Sequence, residues 1–539
     1  ANFFAHGVMH SVRSDSFEKM LRLDAAFFDD KQTGEVMSIL SNDSGNLELF
    51  LDNALMNGVR LIVMVIGIAA ILFYLNWQLA FVTLVAIPVI VGFTIWFMRV
   101  IEPRYEARQS AMADFNTRIE NGITGVILAK ATGSEEYETE RVRDASHGVF
   151  ETTMDVLKLS YFYRPGMELL AGLSFAATFV VGGIWIIQGP PAPLSGTLQV
   201  GELTTFLLLT QRLVNPLAQM GNIVDRYEDA KASTKRILGV MNMPVSIQDS
   251  DDAVELDNAE GRVEYDDVSF AYEEDAESYV LEDVDFEVEP GESVGIVGPT
   301  GAGKTTILKL LLRLYDVNEG AVRVDGHDVR DLTVSSLRQS MGYVGQDNFL
   351  FDGTVAENIK YGAFDATQEE IEAAAKKAQA HDFISKMPEG YQTDIGERGV
   401  KLSGGQRQRV AIARTILSDP SILIFDEATS AVDTETEMLI QRSLDRLSED
   451  KTTLSIAHRL STIKDADQIV VLEGGRVVER GSHDDLIAED GLYAHLWGVQ
   501  AGEIEELPDE FVERAQERQA EADVDEEEYE AEHEAETDD

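Results

Sequence analysis

Gly298 Pro299 Thr300 Gly301 Ala302 Gly303 Lys304 Thr305 fills every fixed position of the pattern G-x-x-x-x-G-K-[ST], and no other stretch restricts the fold as strongly. Such a loop functions only between a strand that enters it and a helix that leaves it. Ser293 to Val297 reads as a buried strand, and Thr306 to Leu314 reads as a helix. The glycines let the backbone curl so that successive N–H groups face phosphate oxygens, and the N-terminal end of the helix adds its positive partial charge. Lys304 is then expected to reach the β- and γ-phosphates, and Thr305 to ligate a Mg²⁺ ion that also holds phosphate oxygen. Thr306 completes the expected phosphate-contacting run, Gly298 to Thr306.

Downstream residues fit the same chemistry. Ile422 Leu423 Ile424 Phe425 is a continuous apolar run, as in a buried parallel strand, and it delivers Asp426 and Glu427 to its C-terminal edge. Asp426 is expected to hold Mg²⁺ through water, and Glu427 to orient and deprotonate the water that attacks the γ-phosphate. Ser403 Gly404 Gly405 Gln406, after Leu402, opens a helical run from Arg407 to Leu417, so a second set of free N–H groups is aimed at an anion. Arg262 to Phe270 and Leu281 to Val288 alternate like strands of a half-exposed sheet, and Tyr272, just beyond the first, offers a ring on which adenine could stack.

The first half of the chain reads differently. Leu55 to Leu75 and Leu79 to Met98 are nearly uninterrupted apolar runs, each near the ~20 residues a helix needs to cross hydrocarbon. They form a hairpin through Asn76 Trp77 Gln78. Trp77 and Trp96 suit the two interfaces, and Arg99, Arg104 and Arg108 place the exit of the second run in the cytoplasm. Glu102 to about Tyr163 is polar and helix-compatible, so it is expected to extend into the cytoplasm. Two further spans are expected, Met167 to Ile187 and Leu203 to Ile223, joined outside by Gly189 Pro190 Pro191 Ala192 Pro193. Lys231, Lys235 and Arg236 mark another cytoplasmic exit. Residues 12 to 53 carry charges at helical intervals, broken by an expected turn from Phe27 to Gly34, and lie outside the bilayer. The domain reading is a transmembrane domain over 1–238, a linker over 239–261, a nucleotide-binding domain over 262–501 and an acidic, solvated tail over 502–539.

Charge argues against one class of partner. The 539 residues carry 96 Asp plus Glu against 44 Lys plus Arg, a formal net charge of −52, which speaks against a nucleic-acid partner needing a basic face. With no cysteine, disulfides, thiolate metal ligands and thiol nucleophiles are excluded.

The combination of GPTGAGKT, LSGGQ, ILIFDE and His458 after the apolar strand Thr453 to Ala457 resembles the ATP-binding cassette family over about residues 262 to 495. The resemblance implies an α/β cassette with antiparallel β and helical subdomains, binding ATP and Mg²⁺. It also implies that two cassettes pair head to tail, with LSGGQ of one closing over the nucleotide of the other. By the same resemblance Tyr272 falls where the family stacks adenine, Gln346 where it senses Mg²⁺ and the attacking water, and His458 where it contacts the γ-phosphate. Ser430 to Asp433 matches a segment communicating between the two sites.

The membrane half resembles the exporter branch. Phe27 to Asp43 is similar to its first intracellular coupling loop, Gly133 to Glu140 to its second, and Gly396 Glu397 Arg398 Gly399 to the stretch that touches those loops. The resemblance implies a multi-pass protein of the cell membrane with a cytoplasmic cassette, exporting a hydrophobic or amphipathic substrate. Because phosphate loop and LSGGQ are both intact, a homodimer would hold two complete ATP sites, and a heterodimer with a second half-transporter is the other arrangement. The reading from another class is a membrane-anchored ATPase that regulates a partner complex without transport. Exporter halves have six spans and four are readable, so two earlier helices and a longer native N-terminus are expected. A natively expressed protein no heavier than this sequence, with transport retained, would refute that.

The acidic balance generates its own prediction. A net charge of this size repels itself in dilute buffer, whereas at 1 M salt the Debye length falls to about 3 Å. Folding and ATPase activity are therefore expected to improve from dilute buffer to molar salt, in keeping with a salt-rich cytoplasm. Equal performance in dilute buffer would sink the idea.

Overall fold

The computed structural model describes residues 2–31, 33–189, 198–218, 220–273, 278–346, 348–426, 434–456 and 460–501. Two compact units form, one from Ala1–Arg22 and Lys31–Met243, the other from Leu23–Asp30 and Pro244–Asp539.

Among its described residues the first unit forms helices and no strands. Its apolar runs form helices Leu55–Leu75, Trp77–Leu84 and Ala86–Thr124, and the hairpin turns at Asn76, whose extended backbone and side-chain oxygen cap the second helix by accepting from Leu79 N at 3.0 Å. The polar stretch divides, its first half ending Ala86–Thr124 and forming Val126–Thr132, while its second half and the third apolar run merge into one helix, Glu135–Gln188, that continues through Pro165. Among the described residues, three helices are long and apolar enough to cross a membrane, Thr33–Leu75, Trp77–Thr124 and Glu135–Gln188.

Around the fourth expected span, Leu203 to Ile223, the described residues are helical over Val200–Ala218 and Met220–Asn242, and Thr204, Thr205, Thr210, Gln211 and Arg212 dilute the apolar character of the first stretch. The three threonine hydroxyls donate to carbonyls four residues earlier, so the helix satisfies them internally. The proline-rich connection expected outside falls at 190–197, beyond the described residues, as does the acidic tail over 502–539.

Leu72, Leu79 and Phe206 centre the apolar core of this unit, fully buried among Leu61, Ile68 and Leu203. Thr83 and Thr178 share a 3.0 Å hydroxyl bond between two of the long helices, and Ser174 donates to Thr83 O at 3.2 Å. Such links replace the missing hydrophobic drive between helices in lipid, each contributing roughly 0.6–2 kcal/mol.

The second unit contains two sheets. Strands β1 (Val263–Phe270), β2 (Leu281–Val288), β4 (Glu319–Val324) and β5 (His327–Asp328) make an antiparallel sheet in the order β2-β1-β4-β5. A six-stranded sheet has the order β10-β9-β3-β8-β7-β6, from β3 (Ser293–Val297), β6 (Met341–Val344), β7 (Ile422–Asp426), β8 (Thr452–Ile456), β9 (Gln468–Glu473) and β10 (Arg476–Gly481). All its neighbours pair in parallel except β10 with β9, so β3, β6, β7 and β8 end at one edge. Val294, Ile296, Ile422, Ile424 and Leu454 are buried in the core shared with the antiparallel sheet, which is why these strands read as unbroken apolar runs. A separate helical part, including Val355–Lys360, Gln368–Lys377, Gly404–Ser418 and Thr434–Ser448, closes around Ile359, Ile371, Val410, Ile412 and Ile440.

Two local readings change. The expected turn after Phe27 contains a six-residue helix, Ala25–Asp30, and the expected linker is helical as far as Asn242 before it extends. Short helices without apolar periodicity are invisible to a pattern that needs two turns to show itself.

Asp43 provides a stability test within the first unit. It is 3% exposed, accepts from Ser233 Oγ at 2.9 Å and from Arg236 at 2.8 and 2.5 Å, and so ties two distant helical segments together. Asp43→Ala is expected to cost about 1–3 kcal/mol, because it removes charge-assisted bonds and strands their donors. Arg22→Ala, which breaks only an exposed pair with Glu18, should stay within about 0.5 kcal/mol. Thermal midpoints of the two variants in detergent check the contrast, and equal losses would contradict it.

Candidate nucleotide site

Strand β3 lies between β9 and β8, and its end delivers Gly298 to the sheet edge. At Gly298 the backbone has φ +154°, and a Cβ there would sit 2.2 Å from Leu472 O. Gly303 has φ +92°, and its Cβ would meet Leu281 Cδ2 at 2.5 Å. Any side chain at either position would force the loop away from the sheet, so the curl depends on these two residues. Between them Ala302 N donates to Pro299 O at 3.3 Å.

The helix after the loop runs Lys304–Leu311 with Gly303 as its cap, two residues earlier than the polar Lys304 and Thr305 lead one to expect. Lys304, Thr305 and Thr306 therefore occupy the first turn, where backbone N–H groups have no intrahelical acceptor. Lys304 Nζ folds back over the loop and donates to Gly298 O at 3.0 Å and Pro299 O at 2.7 Å. Thr305 is exposed, and its hydroxyl has no partner among the described residues. Thr306 is 5% exposed, with Oγ1 3.0 Å from the Tyr272 hydroxyl.

Asp426 ends β7, two strands from β3 and so about 10 Å along the same edge. Tyr343 donates to its Oδ2 at 3.4 Å. In the neighbouring strand Val344 pairs with Phe425, which brings the exposed Gln346, two residues beyond β6, to this edge as well. Glu427, His458 and Ser430 to Asp433 lie outside the described residues; Glu427 follows β7 directly, and His458 comes two residues after β8. Thr305 and Asp426 offer the hydroxyl and carboxylate oxygens that suit Mg²⁺, and no cluster of three or more His, Asp or Glu competes as a cage among the described residues.

Ser403 stands apart from this edge. It caps the helix Gly404–Ser418 in a capping box: Ser403 Oγ accepts from Gln406 N at 3.3 Å, and Gln406 Oε1 accepts from Ser403 N at 2.9 Å. Ser403 and Gly404 are exposed, Gly405 is buried, and the helix belongs to the helical part. The loop from Gly298 to Thr305 and the turn from Ser403 to Gln406 thus sit on different substructures.

Residues around Tyr272 escaped the sequence reading. The Tyr272 ring meets Phe270 and Tyr315 edge-on at 5.0 and 5.1 Å, and Lys309 Nζ lies 5.2 Å from its centroid. Asp29 Oδ2 accepts from Tyr315 OH at 2.6 Å and from Lys309 Nζ at 3.0 Å. Burial works to raise the Asp29 carboxyl, but those two hydrogen bonds and the Lys309 charge outweigh it and hold it below the ordinary carboxylate range. The Tyr315 phenol is pushed well up, by burial first and then by its bond to Asp29. Nothing in a sequence links positions 280 residues apart; the only available signal was an acidic pair, Asp29 and Asp30, next to two phenylalanines.

Known proteins share both halves. Residues 2–217 match the family described as ABC transporter transmembrane region, and residues 281–430 match ABC transporter. An ABC transporter ATP-binding protein of Bacillus subtilis (strain 168), YwjA, is 39% identical over 92% of this chain and 84% of its own length. The ATP-dependent lipid A-core flippase of Syntrophus aciditrophicus (strain SB) is 35% identical over 93% of this chain and 81% of its own. Among solved structures, a bacterial Atm1-family ABC exporter with ATP bound superposes with a TM-score of 0.77 at 34% identity, covering 92% of this chain and 86% of that one. The chain therefore belongs to the ABC transporter family, as an exporter-type half-transporter that fuses a helical transmembrane region to an ATP-hydrolysing cassette.

Proposed function

We propose that the chain is one half of a dimeric exporter that moves a hydrophobic or amphipathic substrate across the cell membrane by alternating access, with its cassettes in the cytoplasm. The observation that carries this reading is one sheet edge holding Lys304, Thr305, Asp426 and Gln346, in a chain whose described residues also include three helices long and apolar enough to cross a membrane. Arg99, Arg104 and Arg108 after the second apolar run, and Lys231, Lys235 and Arg236 after the fourth, support the cytoplasmic orientation. A homodimer is the simplest assembly, since each chain supplies both Gly298 to Thr306 and Ser403 to Gln406.

The residues divide the work of hydrolysis. Backbone N–H groups from Gly301 to Thr306 receive phosphate oxygens, and Lys304 exchanges its two loop carbonyls for the β- and γ-phosphates. Tyr272 stacks on the base. Thr305 and Asp426, with Gln346 beside them, would hold Mg²⁺, which supplies charge neutralisation at the phosphates. Glu427 takes the proton of the attacking water, and His458 steadies the γ-phosphate. Ser403, Gly404, Gly405 and Gln406 of the partner chain close over the same nucleotide, which is consistent with their position on a different substructure from the phosphate loop.

Three measurements test the reading. Glu427→Gln keeps size and hydrogen bonding but loses proton acceptance, so ATP turnover should fall by ~10²- to 10⁴-fold while ATP remains bound between closed cassettes. Near-normal turnover would mean that the base is another residue. Lys304→Ala should instead weaken ATP binding itself, which retained-nucleotide assays resolve. In sealed vesicles with outward-facing cassettes, ATP should drive accumulation of an amphipathic probe. Robust hydrolysis without flux of any probe would favour a membrane-anchored regulatory ATPase.

A further inference from the structure

Tyr272 is gripped from several sides by residues of one unit. Thr306 and Lys309, three positions apart on the helix Lys304–Leu311, lie on one face of it; the first meets the Tyr272 hydroxyl at 3.0 Å and the second faces its ring at 5.2 Å. Phe270 and Tyr315 support the ring edge-on, yet Tyr272 remains 43% exposed, which leaves surface for a stacking partner. Lys309 is the adjustable member of this set, because a four-carbon stem has many rotamers and its ammonium also lies 5.5 Å from the Tyr315 ring. What fixes it is Asp29, whose Oδ2 accepts from Lys309 Nζ at 3.0 Å and from Tyr315 OH at 2.6 Å.

Asp29 is itself firmly presented. Its helix, Ala25–Asp30, packs Ala25 against the core of the sheets. One residue before that helix, the Asp24 carboxylate accepts from Ser246 N at 2.8 Å and Ile247 N at 3.1 Å. The segment is thus held at two carboxylates, Asp24 by the backbone at Ser246 and Ile247 and Asp29 by Lys309 and Tyr315, and it is Asp29 that bonds the residues around the ring.

We propose that Asp29 is a positioning residue for base recognition: by holding Lys309 over Tyr272 it sets the orientation of the ring that stacks on the nucleotide base, while leaving the phosphate cradle untouched. The inference rests on the stacking reading of Tyr272. Two physical points separate base from phosphate. The cradle is fixed by Gly298, Gly303 and the helix start, none of which touches Asp29. The ring, in contrast, is held by a cation over its face, an interaction that depends on where the ammonium sits.

The test uses the full chain in detergent and two ligands, ATP and inorganic tripolyphosphate, which offers phosphates without a base. Asp29→Asn is expected to weaken ATP binding by roughly three- to tenfold, a part of what base stacking on an aromatic ring contributes, and to leave tripolyphosphate within about twofold. Lys309→Met should reproduce that pattern, and the double variant should be no worse than Lys309→Met alone. Lys309→Met also guards against misfolding, since it keeps the Asp24 bonds to Ser246 N and Ile247 N and the Asp29 bond to Tyr315 that seat the 23–30 segment. Unchanged ATP affinity in Asp29→Asn, equal weakening of both ligands, or additive losses in the double variant would each overturn the proposal. Tyr272→Ala distinguishes the two levels: if it too leaves ATP binding unchanged, the stacking reading has failed, whereas if it weakens ATP alone and Asp29→Asn does not, only the role of Asp29 has failed.

Discussion

Backbone N–H groups in the first turn of a helix have no acceptor within that helix, and in this cassette three of them follow a loop pressed against its own sheet. The turn from β3 into Lys304–Leu311 holds because Gly298 comes within van der Waals reach of Leu472 O and Gly303 within reach of Leu281. Strand order does the rest: β3, β8, β7 and β6 end together, so the residues that follow them meet at the opening of the loop. Burial of Ile296, Ile422, Ile424 and Leu454, each contributing about 1.5–3 kcal/mol, keeps that edge in register. The layout of the edge therefore depends on side chains buried behind it.

Inside the membrane half the balance of forces differs. Apolar side chains gain little by leaving lipid for one another, so helix contacts rely on close packing and on short polar bonds such as Thr83 with Thr178. At Gly182 a Cβ would meet Leu203 Cδ1 at 2.4 Å, which shows how near two of these helices come. Outside the apolar windows, Asp43 takes over with a charge-assisted cluster around Ser233 and Arg236.

How much of this could be read beforehand follows from the range over which each signal acts. Local periodicity is complete within a few turns, so helix Leu55–Leu75 and strands β2 and β3 have the ends that their residues suggest. Phosphate-loop residues are adjacent in sequence, and Asp426 was legible because a buried strand announces where it ends. The start of the helix at Lys304 was misplaced by two residues, since polar residues hide a first turn from a pattern built on apolar spacing. Helix Ala25–Asp30 and the contacts of Asp29 were illegible for a different reason: they depend on partners hundreds of positions away, and no spacing rule reaches so far.

That separation has a consequence for biosynthesis. Asp29 is made 280 residues before Lys309, the donor whose hydrogen bond it accepts. At about 5–20 residues per second, roughly 15–60 s of translation elapse between them. During that interval the ribosome has already released Ala25–Asp30, and the surface on which it will settle does not yet exist. The nascent segment must stay soluble by itself, and its two acidic residues at 29 and 30 offset the apolar Phe27 and Phe28 while it waits. Completion of the cassette is thus a non-local closure, in which Lys309 and Tyr315 capture a segment made some 280 residues earlier.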